Sequence, residues 1–172
     1  MKVFKYYSEL KKWQKKKLVC TIGNFDGVHR AHQRIISDVK RIAEERDAHS
    51  LIITFKNHPL QSGKKKQKPI LTSLPHKLLF FKREEIDACF VFTFSKKFRD
   101  MDPRDFLEKI LFRHFDLAYL TVGYNFYFGK NRSGSTDLIA EYAEKRGIGF
   151  RVAKPVMSAG ETISSSRIRA LI

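Results

Sequence analysis

The sequence has no long run of apolar residues. None of its hydrophobic stretches approaches the ~20 residues that a membrane-spanning helix needs, so we expect no membrane segment. The N-terminal stretch MKVFKYYSELKKWQKKK is rich in charge and has no apolar centre, which argues against a secretory signal. There are only two cysteines, Cys20 and Cys89, and both lie inside apolar runs. This placement is typical of core side chains in a reducing compartment, so we expect a cytoplasmic protein without a disulfide or metal framework.

Acidic residues are scarce as well. The chain has 18 Asp and Glu against 34 Lys and Arg, a formal net charge of +16, which indicates an anionic partner. Lysine runs at 11–17 and 62–69 carry much of this charge, and such runs without interleaved aromatics are typical of solvated loops. Any contact with nucleic acid would be nonspecific and sensitive to salt. No RNA-recognition motif or row of stacking aromatics supports such contact.

What the chain does contain is an alternation of apolar runs and amphipathic segments over residues 1–172, which predicts a single domain. The apolar runs are short and continuous, as in strands buried on both faces. They predict strands at 18–23, 50–55, 88–94, 117–123 and 148–153. The segments between them predict helices at 30–46, 74–83, 103–113 and 135–146. This order favours an α/β fold with a Rossmann-like, right-handed, doubly wound parallel sheet.

Four polar stretches follow the predicted strands. They are GNFDGVHRAH, KNHP, GYNFYFGKNRSG and TISSSRIRALI. In doubly wound sheets, ligands bind beyond the carboxyl ends of the strands. We therefore expect these four stretches to meet in one site.

The first stretch places two histidines at the start of a predicted helix. His29 and His32 are three residues apart, so they share one face of the first turn, beside main-chain N–H groups that attract phosphate. Gly23 and Gly27 would allow the main chain to approach a ligand, while Asn24 and Asp26 offer groups for turn capping or ligand contact. A histidine pair on an ordinary exposed helix is the alternative. A zinc pair is disfavoured because no cluster supplies the other ligands.

The last stretch also suits a phosphate. ISSSRIR, at 163–169, places three hydroxyls and two guanidinium groups around a predicted helix start. The alternative is a capping serine followed by solvated arginines. That alternative explains one serine but not three.

These motifs resemble those of a known family. TIGNFDGVHRAHQ resembles the first signature of the HxGH nucleotidyltransferases, and ISSSRIR resembles their ISSTxxR signature. TFKNHP and VGYNFYFGKNRSG resemble the TFxPHP and VGxNFxFGxxxxG segments of bacterial FAD synthetases, in their FMN adenylyltransferase module. The resemblance covers residues 18–172 and implies the nucleotidyltransferase fold.

The resemblance implies transfer of AMP from MgATP to the phosphate of FMN, which gives FAD and pyrophosphate by direct in-line attack. It implies catalytic roles for His29, His32, Ser165 and Arg169. It also implies ATP contacts from Gly23, Asn24, Phe25, Asp26, Gly27, His29, His32, Ser164, Ser165, Ser166, Arg167 and Arg169. FMN contacts are implied at Asn57, His58, Pro59, Gly123, Asn125, Phe126 and Phe128, with Phe106 as a further wall. Core packing is the alternative for Phe126 and Phe128.

The chain departs from the family pattern at three points. Ala31 replaces the usual glycine between the histidines, which adds a methyl group near the nucleotide and suggests weaker ATP binding. Asn57 replaces the first proline of TFxPHP, which frees the main chain there. The riboflavin kinase domain usual in the family does not follow within the sequence, so we expect a stand-alone enzyme or one domain of a longer protein that does not convert riboflavin to FMN.

Other interpretations stay open at this point. A related nucleotidyltransferase with a different phosphorylated acceptor is one, and a weakened domain that binds RNA or another polyanion is another. The sequence does not identify residues that hold Mg²⁺. We expect a monomer.

Overall fold

The computed structural model describes residues 1–56 and 69–172, and these residues form a six-stranded parallel sheet with helices on both faces. The strand order is β1-β4-β3-β2-β5-β6, and every neighbouring pair is parallel. The strands are β1 (Lys2–Phe4), β2 (Leu18–Ile22), β3 (His49–Phe55), β4 (Ala88–Phe92), β5 (Leu117–Gly123) and β6 (Gly149–Ala153). The prediction of a doubly wound parallel sheet is confirmed. The five predicted strands correspond to β2 through β6, whereas β1 was not predicted.

The structure has helices in all four predicted segments, and it has further helices outside them. The helices are α1 (Tyr7–Trp13), α2 (Arg30–Glu45), α3 (Leu74–Arg83), α4 (Lys96–Arg99), α5 (Pro103–Asp105), α6 (Phe112–His114), α7 (Thr136–Glu144) and α8 (Ser165–Ala170). A π-helical segment, Phe106–Leu111, joins α5 to α6, and a 3₁₀ turn spans Lys130–Arg132. Asp102 caps α5, since its carboxylate accepts a hydrogen bond of 2.8 Å from the main chain of Arg104. A small hairpin, β7 (Met157–Ser158) and β8 (Glu161–Thr162), precedes α8.

The core has a layer on each face of the sheet because alternate residues of each strand point to opposite sides. Leu18, Cys20 and Ile22 of β2 pack in the larger layer, which includes residues of α1, the π-helical segment and α7. Val19 packs against α2 on the other side. Both cysteines are free and buried, as predicted for core side chains, and burial raises the pKa of the Cys89 thiol to about 12.

The strand order places a crevice beside β2. The chain runs outward from β2 through β3 and β4 on one side, and through β5 and β6 on the other. The helices that follow β2 and β5 therefore diverge, and this leaves space for a ligand above the carboxyl ends of these two strands. In residues 1–56 and 69–172, no helix is long and apolar enough to cross a membrane.

Candidate active site

A cleft of about 720 Å³ lies at the carboxyl ends of β2 and β5, within the range typical of small-molecule sites. Three of the four predicted stretches meet in it. Predicted site residues that line it are Gly23, Asn24, Phe25, Asp26, His29, His32, Phe106, Gly123, Asn125, Phe126, Phe128, Ser164, Ser165, Ser166 and Arg169. Ala31 lines it too. Asn57, His58 and Pro59 fall outside the described residues.

The turn between β2 and α2 has an unusual main chain. Phe25, Gly27 and Val28 all have positive φ, at 51°, 84° and 35°. For residues other than glycine, this conformation costs on the order of 1–3 kcal/mol each, so the surroundings must hold it in place. A side chain at Gly27 would also meet Leu71, with a Cβ only 2.9 Å from the leucine Cδ1. Gly27 itself does not line the cleft, which gives it a conformational role in the turn.

Asp26 is the centre of the contacts that hold this turn. Its Oδ1 accepts hydrogen bonds from the main-chain N–H groups of Leu71 (3.0 Å) and Thr72 (2.9 Å). Its carboxylate also forms an ion pair with Arg169, and the two side chains are only 2% and 8% exposed. Its main-chain oxygen accepts a 2.7 Å hydrogen bond from the Ser165 hydroxyl. The contacts with Ser165 and Arg169 connect the GNFDGVHRAH stretch with the ISSSRIR stretch.

His29 and His32 lie at the beginning of α2, as N-cap and third residue of the helix. Their rings stack with centroids 3.7 Å apart, and the ring of Phe25 meets His32 nearly edge-on at 5.2 Å. The Nε2 of His29 lies 3.4 Å from the Ser165 hydroxyl. In both rings Nδ1 is buried and has no hydrogen-bond partner among the residues described. Buried polar atoms of this kind are candidates for ligand contact.

The electrostatics keep both histidines neutral. Burial lowers the pKa of His29. Burial, together with the neighbouring His29 and the positive charge of Lys77, lowers the pKa of His32 to about 3. At neutral pH both rings therefore act as hydrogen-bonding groups without a permanent charge. The first turn of α2 adds main-chain N–H groups, and no side chain of the described residues forms a capping hydrogen bond to them.

The three serines of ISSSRIR have different positions. Ser164 caps α8, since its hydroxyl accepts a hydrogen bond of 3.2 Å from the main chain of Arg167. Ser165 joins the two motifs, and Ser166 lines the cleft at an exposed position. Arg167 does not line the cleft, because its guanidinium binds the β7–β8 hairpin through a 2.7 Å ion pair with Glu161. Its predicted contact with ATP stays a prediction.

The cleft has an aromatic wall that belongs to the larger core layer, whereas Phe25, beside the histidines, packs in the layer on the other face of the sheet. The wall consists of Phe55, Phe94, Phe98, Phe106, Phe126 and Phe128. The rings of Phe126 and Phe128 stack at 5.7 Å, and Phe106 lies 5.3 Å from Phe128. Phe106 and Phe128 are also part of the core, with 3% and 9% of their surface exposed. These two side chains therefore both pack in the core and line the cleft. Among the lining residues that the sequence analysis missed are Phe55, Phe94 and Phe98. Phe55 ends β3 and Phe94 lies just after β4, so their position at strand ends was an available signal, whereas Phe98 lies in α4.

Metal ligands do not cluster in the described part of the chain. In residues 1–56 and 69–172, no group of three or more His, Cys, Asp and Glu side chains could hold a metal ion.

The six-stranded parallel sheet, with a cleft at its switch point and a histidine-bearing helix start in that cleft, defines an α/β Rossmann-like fold. Solved structures share this fold. A Streptococcus pneumoniae chain described as a macrolide-efflux protein superposes with a TM-score of 0.79 at 19% identity, over 99% of this chain and 55% of its own. Pantoate-β-alanine ligase from Francisella tularensis gives 0.65 at 13% identity, over 98% and 72%.

The particular family follows from the sequence. The chain belongs to the FAD synthetase family, whose model matches residues 11–167. It is 28% identical to the bifunctional riboflavin kinase/FMN adenylyltransferase of Buchnera aphidicola subsp. Acyrthosiphon pisum over 88% of this chain and 49% of the relative. It is 27% identical to the Escherichia coli (strain K12) protein of the same name over 98% and 54%. The chain thus spans about half the length of the curated relatives it matches. The predicted family is confirmed.

Proposed function

We propose that this chain is an FMN adenylyltransferase that transfers AMP from ATP to the phosphate of FMN and releases pyrophosphate. The observation that carries the proposal is the two-sided cleft. One side offers the start of α2, His29, His32 and Ser165, which are donors suited to phosphates. The other side is a wall of six phenylalanines, which suits a flat, largely apolar ring system such as isoalloxazine.

The proposed reaction needs no covalent enzyme intermediate. A phosphate oxygen of FMN attacks the α-phosphorus of ATP, the bond from that phosphorus to the bridging oxygen of the β-phosphate breaks, and pyrophosphate leaves with the electron pair. The protein aligns two anions that repel each other and stabilises the charge that develops on the leaving group. His29 and His32 would donate hydrogen bonds to phosphate oxygens as neutral rings.

The remaining assignments are part of the same proposal. Asn125 would satisfy the polar edge of the flavin, and the FMN contacts that the resemblance implies for Asn57, His58 and Pro59 lie outside the described residues. Mg²⁺ would enter with the phosphates of ATP, as the family resemblance implies. Two free, buried cysteines support a cytoplasmic location, and the monomeric state expected from the sequence stays a prediction.

The direct experiment is to incubate the purified protein with FMN, ATP and Mg²⁺ and to measure FAD and pyrophosphate, with riboflavin in place of FMN as the control. We expect FAD from FMN and no product from riboflavin, because riboflavin lacks the attacking phosphate. ATP binding without formation of FAD would contradict the proposal and direct the search to another phosphorylated acceptor. Salt-dependent RNA binding without ATP turnover would favour a polyanion-binding protein.

A further inference from the structure

A buried lysine forms a hydrogen bond with the turn that precedes the two histidines. Lys77, on α3, is only 6% exposed, although the motifs of the sequence do not include it. Its Nζ donates a 2.9 Å hydrogen bond to the main-chain oxygen of Asn24, in the turn between β2 and α2. The Thr54 hydroxyl lies 3.4 Å from the same oxygen and donates more weakly. Lys77 therefore holds the main chain at the point where the strained turn begins.

The same face of α3 also supports the histidines. Lys77 and Phe81 are four residues apart, so they lie one above the other on the helix. Phe81 is fully buried, and its ring packs edge to face against Phe25 at 5.6 Å. Phe25 in turn contacts His32. A chain of direct contacts thus connects α3 with the ring that lines the cleft.

Lys77 carries its ammonium group inside the fold, near the ion pair of Asp26 and Arg169. Burial lowers the pKa of Lys77, and the nearby carboxylate of Asp26 opposes this shift. A buried ammonium is costly in the empty fold, and the charged form becomes more favourable when an anion enters beside it.

We propose that Lys77 is a positioning residue for the ATP phosphates. Its hydrogen bond fixes the main chain of the turn that receives them, and its charge attracts them to that turn. The proposal rests on the proposed function in that it takes ATP to be the ligand of this turn. The requirement is for a cation with donors at this place, so arginine would replace lysine better than any neutral residue.

The test compares three substitutions at this position with a control on the same helix. Lys77→Met removes the charge and the hydrogen bond, Lys77→Gln keeps a donor without the charge, and Lys77→Arg keeps both. Lys82→Met is the control, because Lys82 is an exposed lysine on α3. The Kd for ATP is measured by calorimetry, kcat and KM by formation of FAD, and folding by thermal unfolding.

We expect Lys77→Met and Lys77→Gln to raise the Kd for ATP about tenfold and to lower kcat, while the KM for FMN stays near that of the unmodified protein. Lys77→Arg should recover most of the loss, and Lys82→Met should change nothing. If Lys77→Met does not fold, the Kd for ATP of Lys77→Gln is compared with that of Lys77→Arg, and a higher Kd for the neutral variant supports the proposal. An unchanged Kd for ATP in the neutral variants, or an equal rise in KM for both substrates, would overturn the inference.

The two proposals fail separately. A protein that binds ATP but forms no FAD contradicts the adenylyltransferase proposal, while calorimetry still tests Lys77. An unmodified protein that binds no ATP contradicts both.

Discussion

His32 is the residue whose surroundings specify its chemistry most closely. Its ring contacts those of His29 and Phe25, and its Nδ1 is a buried polar atom without a hydrogen-bond partner among the described residues. These contacts fix the ring before a ligand arrives, so little reorganisation is needed when phosphate charge develops. The pair thus differs from exposed histidines on a helix surface, which was the alternative in the sequence analysis.

We expect His32→Ala to lower turnover about 100-fold, the order of effect seen when one donor to a developing charge is removed. The measurement is the rate of FAD formation at saturating ATP and FMN, with thermal unfolding to show that the variant is folded. His76→Ala is the matched control, since His76 is an exposed histidine on α3 whose ring bonds to Ser73. Turnover of His32→Ala close to that of the control would contradict the assigned role.

His32 also makes the fold sensitive to acid. Its pKa is about 3 in the folded protein, against an ordinary value of 6.5 for the unfolded chain. Between these values the unfolded state binds more protons, so stability is complete above the higher value and decreases as the pH falls below it. We expect a slope of up to about 1.4 kcal/mol per pH unit in this window, measured by urea unfolding. His32→Gln should have a shallower slope, and equal slopes would refute the prediction.

Residue types and spacing revealed the motifs but not every role within them. ISSSRIR predicted a phosphate site, yet the structure gives Ser164 a capping role and directs Arg167 to the hairpin. Lys77 could not be found from sequence, because a lysine in an amphipathic helix is indistinguishable from its exposed neighbours until α3 is placed against the turn. Its burial depends on contacts with Asn24, far away in the sequence.

Among the elements, α8 provides a comparison between two arginines of the same helix. Arg169 pairs with the buried Asp26, whereas Arg167 pairs with Glu161, whose side chain is 66% exposed. We expect Arg169→Met to lower the free energy of unfolding by about 3–5 kcal/mol, because it removes the positive partner of a carboxylate that is only 2% exposed. Arg167→Met should cost only about 0–1 kcal/mol. Denaturant unfolding measures both free energies. Equal losses in the two variants would show that the ion pair of Arg169 with Asp26 contributes no more to stability than the ion pair of Arg167 with Glu161.

Most helices and strands could be predicted because each has a continuous apolar run or a helical spacing of apolar residues within its own sequence. The strands β2 through β6 and the helices α2, α3 and α7 end within one or two residues of their predicted limits. The strand β1 has three residues, too few for a periodic pattern, and α1 overlaps a lysine-rich run that indicated a loop. The π-helical segment lies inside the helix predicted at 103–113. It was not predicted as π-helical, because the change from i→i+4 to i→i+5 hydrogen bonds alters the apolar spacing too little to be recognised in the sequence.

At the scale of the whole molecule, the cleft is assembled from distant parts of the chain. Ser165 and Asp26 are 139 residues apart in sequence and are joined by one hydrogen bond. A ligand that binds there stabilises the folded state as a whole. We expect ATP at about 100 times its Kd to raise the free energy of unfolding by about 2.7 kcal/mol. Thermal unfolding measures this effect, and adenosine, which lacks the phosphates, is the control.

Equal stabilisation by ATP and adenosine would contradict a site built around phosphate. No stabilisation by ATP would contradict nucleotide binding altogether. In neither case would the fold itself be in question, because the sheet and its core do not depend on the ligand.

The ion pair between Asp26 and Arg169 has a consequence for synthesis on the ribosome. The turn with Asp26 is translated before α8, and all six strands of the sheet have been translated once residue 153 is added. Arg169 follows Asp26 by 143 residues. A nascent chain can therefore complete its sheet before it can complete the cleft, and a chain interrupted before α8 would retain the histidines but lack the contacts of Ser165 and Arg169 with Asp26.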